Sequence, residues 1–316
     1  QATIIRHLRI FFRDEKIDLL TFYQLIELLT TKNRSTSGIL EIAIMTGPGE
    51  FSCKFDCYYC PKTKGMPRSY IPEEPAVRRA AENNFDTILQ VYDRLTSYDI
   101  KGHIIDKIEG IVLGGTWSQY NDTYQNTFMR DFYYACNTFY DTIKRDRLTM
   151  EEEILLNQNT LCKVVGLTIE TRPDEINENE IKKLLSYGVT RVQLGVQTTH
   201  DFILKKINRQ CYNVDTTRAL KLIKEAGLKT QIHLMPNLPY SDPELDKDMF
   251  NTILFNPDYR ADEWKIYPTS VTTTSDKDIE SVNTVIEKWY IEGKYKPYSN
   301  EELYDLLIYF HICSGK

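Results

Sequence analysis

Six short runs rich in β-branched and aliphatic residues, set apart by stretches of helical periodicity, constrain this chain more than any other feature. They are GILEIAIM (38–45), IEGIVLGG (108–115), KVVGLTIE (163–170), VQLGVQ (192–197), KTQIHLMP (229–236) and EWKIYP (263–268). Strands covered on both faces read as such near-continuous apolar runs. Helical character falls between them, at 78–98, 177–188 and 213–227, and again at 300–313. Two of these helices end at Gly188 and Gly227, suited to a C-cap, directly before the next strand. Strand-helix alternation of this kind predicts the α/β class and a partial, TIM-like (β/α)6 barrel. Leu19, Phe22, Tyr23, Ile26 and Leu29 share one helical face over 18–30. They predict an N-terminal helical extension (1–34) ahead of one core domain (35–316). At 316 residues and 41% apolar content, the chain has the material for a single buried centre.

The remaining composition excludes several classes. No apolar run reaches the length of a membrane span, and the first residues lack a secretory pattern, so a cytoplasmic protein without membrane attachment is expected. Seven cysteines, three of them clustered, fit a reducing compartment and a metal site better than a disulfide framework. A net charge of −6 argues against nonspecific coating of nucleic acid. Any RNA contact must therefore be local. The candidate patches are Arg6, Arg9 and Arg13 with Lys32 and Arg34, the trio Lys62, Lys64 and Arg68, and KRDR at 144–147. On charge alone each reads as solvated surface.

In barrels of this type chemistry gathers on the loops after the strands. The unusual residues fall there: Cys53, Cys57 and Cys60 after the first strand, Gly114, Gly115 and Thr116 after the second, Glu170 at the end of the third, Gln197 at the fourth, His233 and Met235 at the fifth. Three cysteines in a C-x3-C-x2-C loop, with no histidine nearby, are one ligand short of a structural zinc site. They suit a 4Fe-4S cluster with one iron open to another ligand. A zinc knuckle completed by a distant cysteine is the competing reading. A glycine pair lets a ligand approach the backbone closely, although a tight turn has the same signature. A carboxylate ending an apolar strand needs a polar partner, either a ligand or an ion pair with Arg172 or Arg191. Gln197 and His233 read as pocket polars or as satisfied core residues.

The loop pattern resembles the radical S-adenosylmethionine (SAM) enzymes. STSGILEIAIM, IDKIEGIVLGGT, GLTIETRPDEI, LLSYGVTRVQLGVQT, KEAGLKTQIHLMPNLP, NPDYRADEWKIYPT and GKYKPYS resemble, in order, the radical SAM domain of the Elp3 family, the catalytic subunit of Elongator. The resemblance runs from about Arg34 to the end, and TIETRPD and MPNLP are its most specific parts. It implies a transferase that activates the acetyl group of acetyl-CoA for addition to C5 of the wobble uridine of tRNA. Cys53, Cys57 and Cys60 would hold the cluster. Tyr59 would sit near the adenine of SAM, with Gly114, Gly115, Thr116, Glu170, Gln197, His233 and Met235 around the cofactor. Lys107 would serve acetyl-CoA, and Lys265 and Tyr267 would face the reaction centre. The basic residues would meet tRNA phosphates. Three departures stand out: the close spacing of Cys53 and Cys57, Gln210-Cys211 where the family has Gly-His, and a longer segment after KIYPT. The family's acetyltransferase-like domain has no counterpart before Lys316, so the chain is either a fragment or works with a separate acetyltransferase-like or Elongator-type subunit; a radical SAM enzyme of another RNA or small-molecule substrate, or an Elp3-like tRNA-binding module, is the alternative.

Overall fold

A computed structural model describes residues 8, 10, 13–29, 36–49, 53–271, 281–282 and 284–315. Six strands form one sheet in the order β1-β3-β4-β5-β6-β7: β1 (Leu40–Met45), β3 (Lys107–Leu113), β4 (Lys163–Thr171), β5 (Arg191–Gln197), β6 (Lys229–Leu234) and β7 (Glu263–Ile266). The order is linear, with β1 and β7 as its two ends, and the intervening helices make the parallel strand-helix succession of a partial (β/α)6 barrel. All six expected strands are present within two residues of their expected starts. A two-residue antiparallel ladder of β2 (Lys62–Thr63) with β8 (Ser281–Val282) stands outside the sheet.

The chain divides into two compact units. The first comprises 1–46, 78–112 and 122–167. Its core sets Ile42 and Ile44 of β1 with Val91 and Leu95 of the helix Thr87–Ile100, Ile108 of β3, and Met129 and Phe132 of the helix Asp122–Thr138, all 0–1% exposed. Gln90 turns its buried amide on β1, accepting from Met45 N at 2.9 Å and donating to Met45 O at 3.0 Å. The helical stretch expected over 78–98 is broken at Asn84 and Phe85, whose φ angles of 51° and 56° cannot continue a helix. Asp86 then caps the next helix through Leu89 N. Of the apolar face expected over 18–30, Leu19 is 53% exposed and Phe22 half-buried; Tyr23, Ile26 and Leu29 have side chains outside the described set.

KRDR belongs to this first unit. Arg145 grips the buried carboxylate of Glu153 through two bonds of 2.7 and 2.6 Å. Lys144 donates to the carbonyls of Thr138, Phe139 and Asp141, where the negative end of the helix Asp122–Thr138 attracts a cation. Two of the three cations are therefore committed to the fold.

The second unit comprises 47–77, 113–121 and 168–316. It holds the end of β4 and the parallel pairings β4 to β5, β5 to β6 and β6 to β7. Asn177 and Asp242 cap the helices Glu178–Ser186 and Pro243–Phe255, and Gly188 and Gly227 sit just beyond helix ends at φ 76° and 77°, as their positions predict. The final helix, Asn300–Ser314, packs Phe310 on Phe250 with ring centres 4.3 Å apart. Among the described residues no helix is long and apolar enough to cross a membrane.

Candidate active site

Every strand end named above as unusual delivers its residue to the second unit, where one cavity is lined by Cys53, Phe55, Cys57, Tyr59, Cys60, Arg68, Ser69, Gly115, Thr116, Glu170, Thr171, Arg172, Gly195, Gln197, Arg209 and His233. The three cysteines are free thiols, Cys57 buried and the other two half-buried. A tight turn, Cys60 N donating to Cys57 O at 3.0 Å, holds the last two on one bend. Two guanidinium groups converge on Cys57: Arg172 Nη1 and Arg209 Nη1 each lie 3.7 Å from its Sγ. Both arginines are almost wholly buried, at 2% and 6% exposure. Asp174 holds the Arg172 fork through bonds of 2.9 and 3.0 Å, and the same group lies 3.6 Å over the Phe55 ring. Arg209 donates to the carbonyl of Gly195. The sulfur that a metal would engage as a thiolate thus faces two permanent positive charges. At Cys60 burial pushes the thiol up, opposed by Ser69 Oγ at 3.1 Å.

The polar part of the lining comes from β3 to β6. Gly114 and Gly115 have φ of 135° and 91°, and a Cβ on Gly115 would stand 3.1 Å from Arg68 O, so both conformation and space call for glycine. Glu170 accepts from Tyr70 OH at 2.9 Å. Burial raises its pKa, against the opposing pull of the Tyr70 hydroxyl, the Lys265 charge and the Gly115 N–H. Its Oε1 lies 3.9 Å from His233 Nδ1. Burial, reinforced by the Lys265 charge, lowers His233 to about 3, so the imidazole is neutral near pH 7 and the contact is not an ion pair. Gln197 sits at a bulge between β5 and β6 with φ 73°. Among the described residues, Gln197 Oε1, His233 Nε2 and Tyr59 OH are buried polar atoms without a hydrogen-bond partner in the protein. Tyr59 and Met235 pack on the apolar cluster of Ile203, Ile207 and Leu238.

Of the other expected residues, Gly114, Met235, Lys265, Tyr267, Lys107, Lys62 and Lys64 fall outside this lining, while Arg68 belongs to it. Lys265 pairs in register with His233 across β6 and β7. Tyr267 is 52% exposed, with its ring 5.7 Å from that of His233. Lys107 opens β3, its Nζ 2.9 Å from Asp106. Lys62 pairs with Asp56, and Arg68 donates to Phe55 O and stands 3.8 Å from Asp56. With Lys64 they line a groove that includes Pro48 and Gly49. Arg13 is exposed beside Asp14, while Arg6, Arg9, Lys32 and Arg34 lie outside the described residues. The ion pair offered for Glu170 is not made: Arg172 pairs with Asp174, and Arg191 lies 3.1 Å from Glu263. Among the site residues that pattern reading missed as such, Phe55, Ser69 and Gly195 included, the two with charge are Arg172 and Arg209. Their signal was slight, a cation within two residues of an apolar strand end and another in the NR dipeptide after a short helix.

A linear six-stranded parallel sheet with three thiols on the loop after its first strand, facing a glycine pair and polar strand ends, defines a cofactor-binding α/β enzyme core. The chain belongs to the Radical SAM superfamily, whose family model matches residues 51–249. It is 37% identical over 275 residues to the tRNA uridine(34) acetyltransferase of Dehalococcoides mccartyi, covering 87% of this chain and 56% of that protein. It is 32% identical over 299 residues to Elongator complex protein 3 of Saccharomyces cerevisiae, covering 90% of this chain and 50% of that protein. The solved structure of Methanocaldococcus infernus Elp3 with an N-terminal deletion superposes with a TM-score of 0.70 at 33% identity, covering 86% of this chain and 53% of that one. The chain spans about half the length of the curated relatives it matches.

Membership implies a 4Fe-4S cluster and SAM. The residues present fit both. Among the described residues, no three His, Cys, Asp or Glu side chains converge closely enough for a single ion. The three thiols line one cavity, and three thiolates suit a 4Fe-4S cluster with one iron open to another ligand. The glycine cradle, the apolar seat of Tyr59 and Met235, and the partnerless atoms of Gln197 and His233 suit a ligand with both an aromatic and a zwitterionic part.

Proposed function

We propose that this chain is the radical SAM portion of an enzyme that modifies the wobble uridine of tRNA with a group derived from acetyl-CoA, in a cytoplasmic setting. The observation that carries the reading is the shared cavity of Cys53, Cys57 and Cys60 with the partnerless polar atoms of Gln197 and His233. The substrate class rests on the names of the relatives, tRNA uridine(34) acetyltransferase and Elongator complex protein 3. Bound by Cys53, Cys57 and Cys60, a reduced 4Fe-4S cluster would supply one-electron reductive cleavage of SAM to methionine and a 5′-deoxyadenosyl radical.

The chain's own residues then have assigned tasks. Cys53, Cys57 and Cys60 ligate the cluster, with Arg172 and Arg209 balancing the charge at Cys57. Gly114, Gly115 and Thr116 present backbone to the methionine part of SAM, and Glu170, held by Tyr70, accepts from its ammonium or ribose hydroxyls. Tyr59 and Met235 seat the adenine, while Gln197 and neutral His233 hydrogen-bond polar edges of the cofactor. Tyr267, an exposed ring beside His233, offers a stacking surface for a base drawn out of the anticodon, and Lys265 directs its charge toward the same place. Lys107 is assigned to acetyl-CoA and Lys62, Lys64 and Arg68 to tRNA phosphates, with Arg9, Arg13, Lys32 and Arg34 as further RNA contacts. A separate acetyltransferase-like or Elongator-type subunit is the proposed partner.

Anaerobic reconstitution tests the first half. It should give the visible charge-transfer absorbance of a 4Fe-4S cluster and, with SAM and reductant, 5′-deoxyadenosine; any single Cys→Ala change in the triplet should abolish both. Incubation with bulk tRNA, with and without acetyl-CoA, followed by nucleoside mass spectrometry, tests the second. A C5-substituted uridine that requires acetyl-CoA is the expected product. A stoichiometric zinc ion in place of iron would overturn the reading.

A further inference from the structure

The cysteine loop has almost no regular structure of its own, yet a ligand set must hold its sulfurs in one arrangement. Among its described residues, Cys60 N turns onto Cys57 O and Lys62 pairs with Asp56. The other restraints come from elsewhere in the second unit. Tyr58, between the thiols, donates its N–H to Ile207 O at 3.0 Å and accepts from Ile286 N at 3.2 Å, so both of its backbone groups are engaged. Lys62 and Thr63 pair with Val282 and Ser281. The segment 284–299 also grips the loop that follows β6 and carries Met235. Tyr295 OH donates to Asn237 O at 2.6 Å, Tyr298 N to Asn237 Oδ1 at 2.9 Å, and Tyr298 OH to the buried carboxylate of Asp246 at 3.0 Å. Between the two loops stands Trp289. Its ring meets Tyr58 edge-on at 5.5 Å and Tyr240 edge-on at 5.7 Å.

We propose that Trp289 is a positioning residue for the cysteine loop: wedged between Tyr58 and Tyr240, it couples the thiol-bearing loop to the loop after β6 and holds the three sulfurs ready for the cluster. The proposal rests on the radical SAM reading above for its purpose, but its physical content concerns the metal-free protein. An edge-to-face aromatic pair contributes modestly beyond its buried area, and Trp289 makes two. Arg172 and Arg209 at Cys57, Arg68 on Phe55 O, Asn208 on Asp56 O and the Lys62–Asp56 pair restrain the loop as well, so losing the two ring contacts acts on local opening rather than on global unfolding.

The test labels the metal-free protein with N-ethylmaleimide under reducing-agent-free anaerobic conditions and follows each cysteine by peptide mass spectrometry. In Trp289→Ala, Cys53, Cys57 and Cys60 should label roughly tenfold faster, the scale of two lost aromatic pairs. Cys136 and Cys162, buried in the first unit, should keep their wild-type rates, and Trp289→Phe should restore most of the protection. If all five cysteines accelerate together, the substitution has loosened the whole fold. Tyr240→Leu, which removes the other side of the wedge from a half-exposed position, then decides by the same selective pattern. Unchanged labelling of the triplet in a folded Trp289→Ala, or uniform labelling in Tyr240→Leu, overturns the proposal. Failure of the radical SAM reading is separate: it shows as no cluster in the wild-type protein, whatever the labelling does.

Discussion

Arg172 and Cys57, 115 residues apart in sequence, meet at 3.7 Å between Nη1 and Sγ in the buried wall of the cavity. Asp174 fixes the guanidinium by a two-bond fork, the Phe55 ring covers it, and Arg209 O accepts a further bond at 2.9 Å. A lysine could supply the charge but neither the fork nor the flat face.

Arg172→Met should therefore destabilise the metal-free protein by roughly 3 kcal/mol, the lower end for one partner removed from a buried ion pair, because Asp174 retains 18% exposure. Urea denaturation measures this. Iron content after reconstitution should fall as well, since Cys57 loses one of its two cations; Arg172→Lys should recover part of the stability and less of the iron.

Gly115→Ala should cost about 1–3 kcal/mol from the positive-φ conformation and the approach to Arg68 O. Its larger effect should be on SAM, because Gly115 lines the cavity proposed to hold the cofactor. Equilibrium dialysis of the reconstituted protein should show SAM binding weakened by more than the loss of stability alone predicts. Gly227→Ala, at a similar φ but with open space around the new Cβ, is the control and should affect stability only.

How far the site was legible follows from the kind of residue involved. The strands announced themselves because runs such as KVVGLTIE have no polar face to place in water, and the chemistry of three close cysteines is scarcely compatible with ordinary surface. Glu170 and His233 were legible as interruptions of those runs. Arg172 and Arg209 were not, because a lone arginine near a loop is ordinarily solvated and its burial depends on Asp174, Phe55 and Gly195, which only the fold assembles. The β2 to β8 ladder is too short to leave a periodic signal, and the break at Asn84 and Phe85 depends on two residues entering the left-handed region inside a helical pattern. Lys107 and the acetyl-CoA expectation came from resemblance, and its observed neighbour is Asp106.

His233 provides a pH test of the site without cofactor. Burial lowers it from an ordinary 6.5 to about 3, so as pH falls through that window the unfolded chain takes up a proton that the folded one refuses. Its contribution to stability is whole above 6.5 and is lost progressively toward 3, at up to about 1.4 kcal/mol per pH unit. His233→Gln, which keeps a polar side chain but does not titrate, should remove that slope. Comparing urea midpoints of the two proteins at pH 6.5 and 5.5 reads the difference directly; equal losses in both would mean that His233 titrates alike in the folded and unfolded states.

Tyr70→Phe isolates the second titrating group. Glu170 is raised by burial, and the Tyr70 hydroxyl is the largest influence opposing that rise, through its 2.9 Å bond to the carboxylate. Removing it disfavours the charged form, so Glu170 should rise further, and the neutral carboxyl is a poorer acceptor for an ammonium or a ribose hydroxyl. SAM affinity should weaken about tenfold, the scale of a hydrogen bond to a charged group, over the pH range in which Tyr70→Phe leaves Glu170 protonated, and should recover as pH is raised and Glu170 ionises. The folding equilibrium carries the same sign: a raised carboxyl makes the folded state bind the extra proton, so the Glu170 contribution falls as pH rises from its ordinary value through the raised one. Tyr70→Phe should extend that loss to higher pH, and Glu170→Gln should abolish it in either background. A pH-independent loss of SAM affinity in Tyr70→Phe would instead assign the hydroxyl to the cofactor rather than to Glu170.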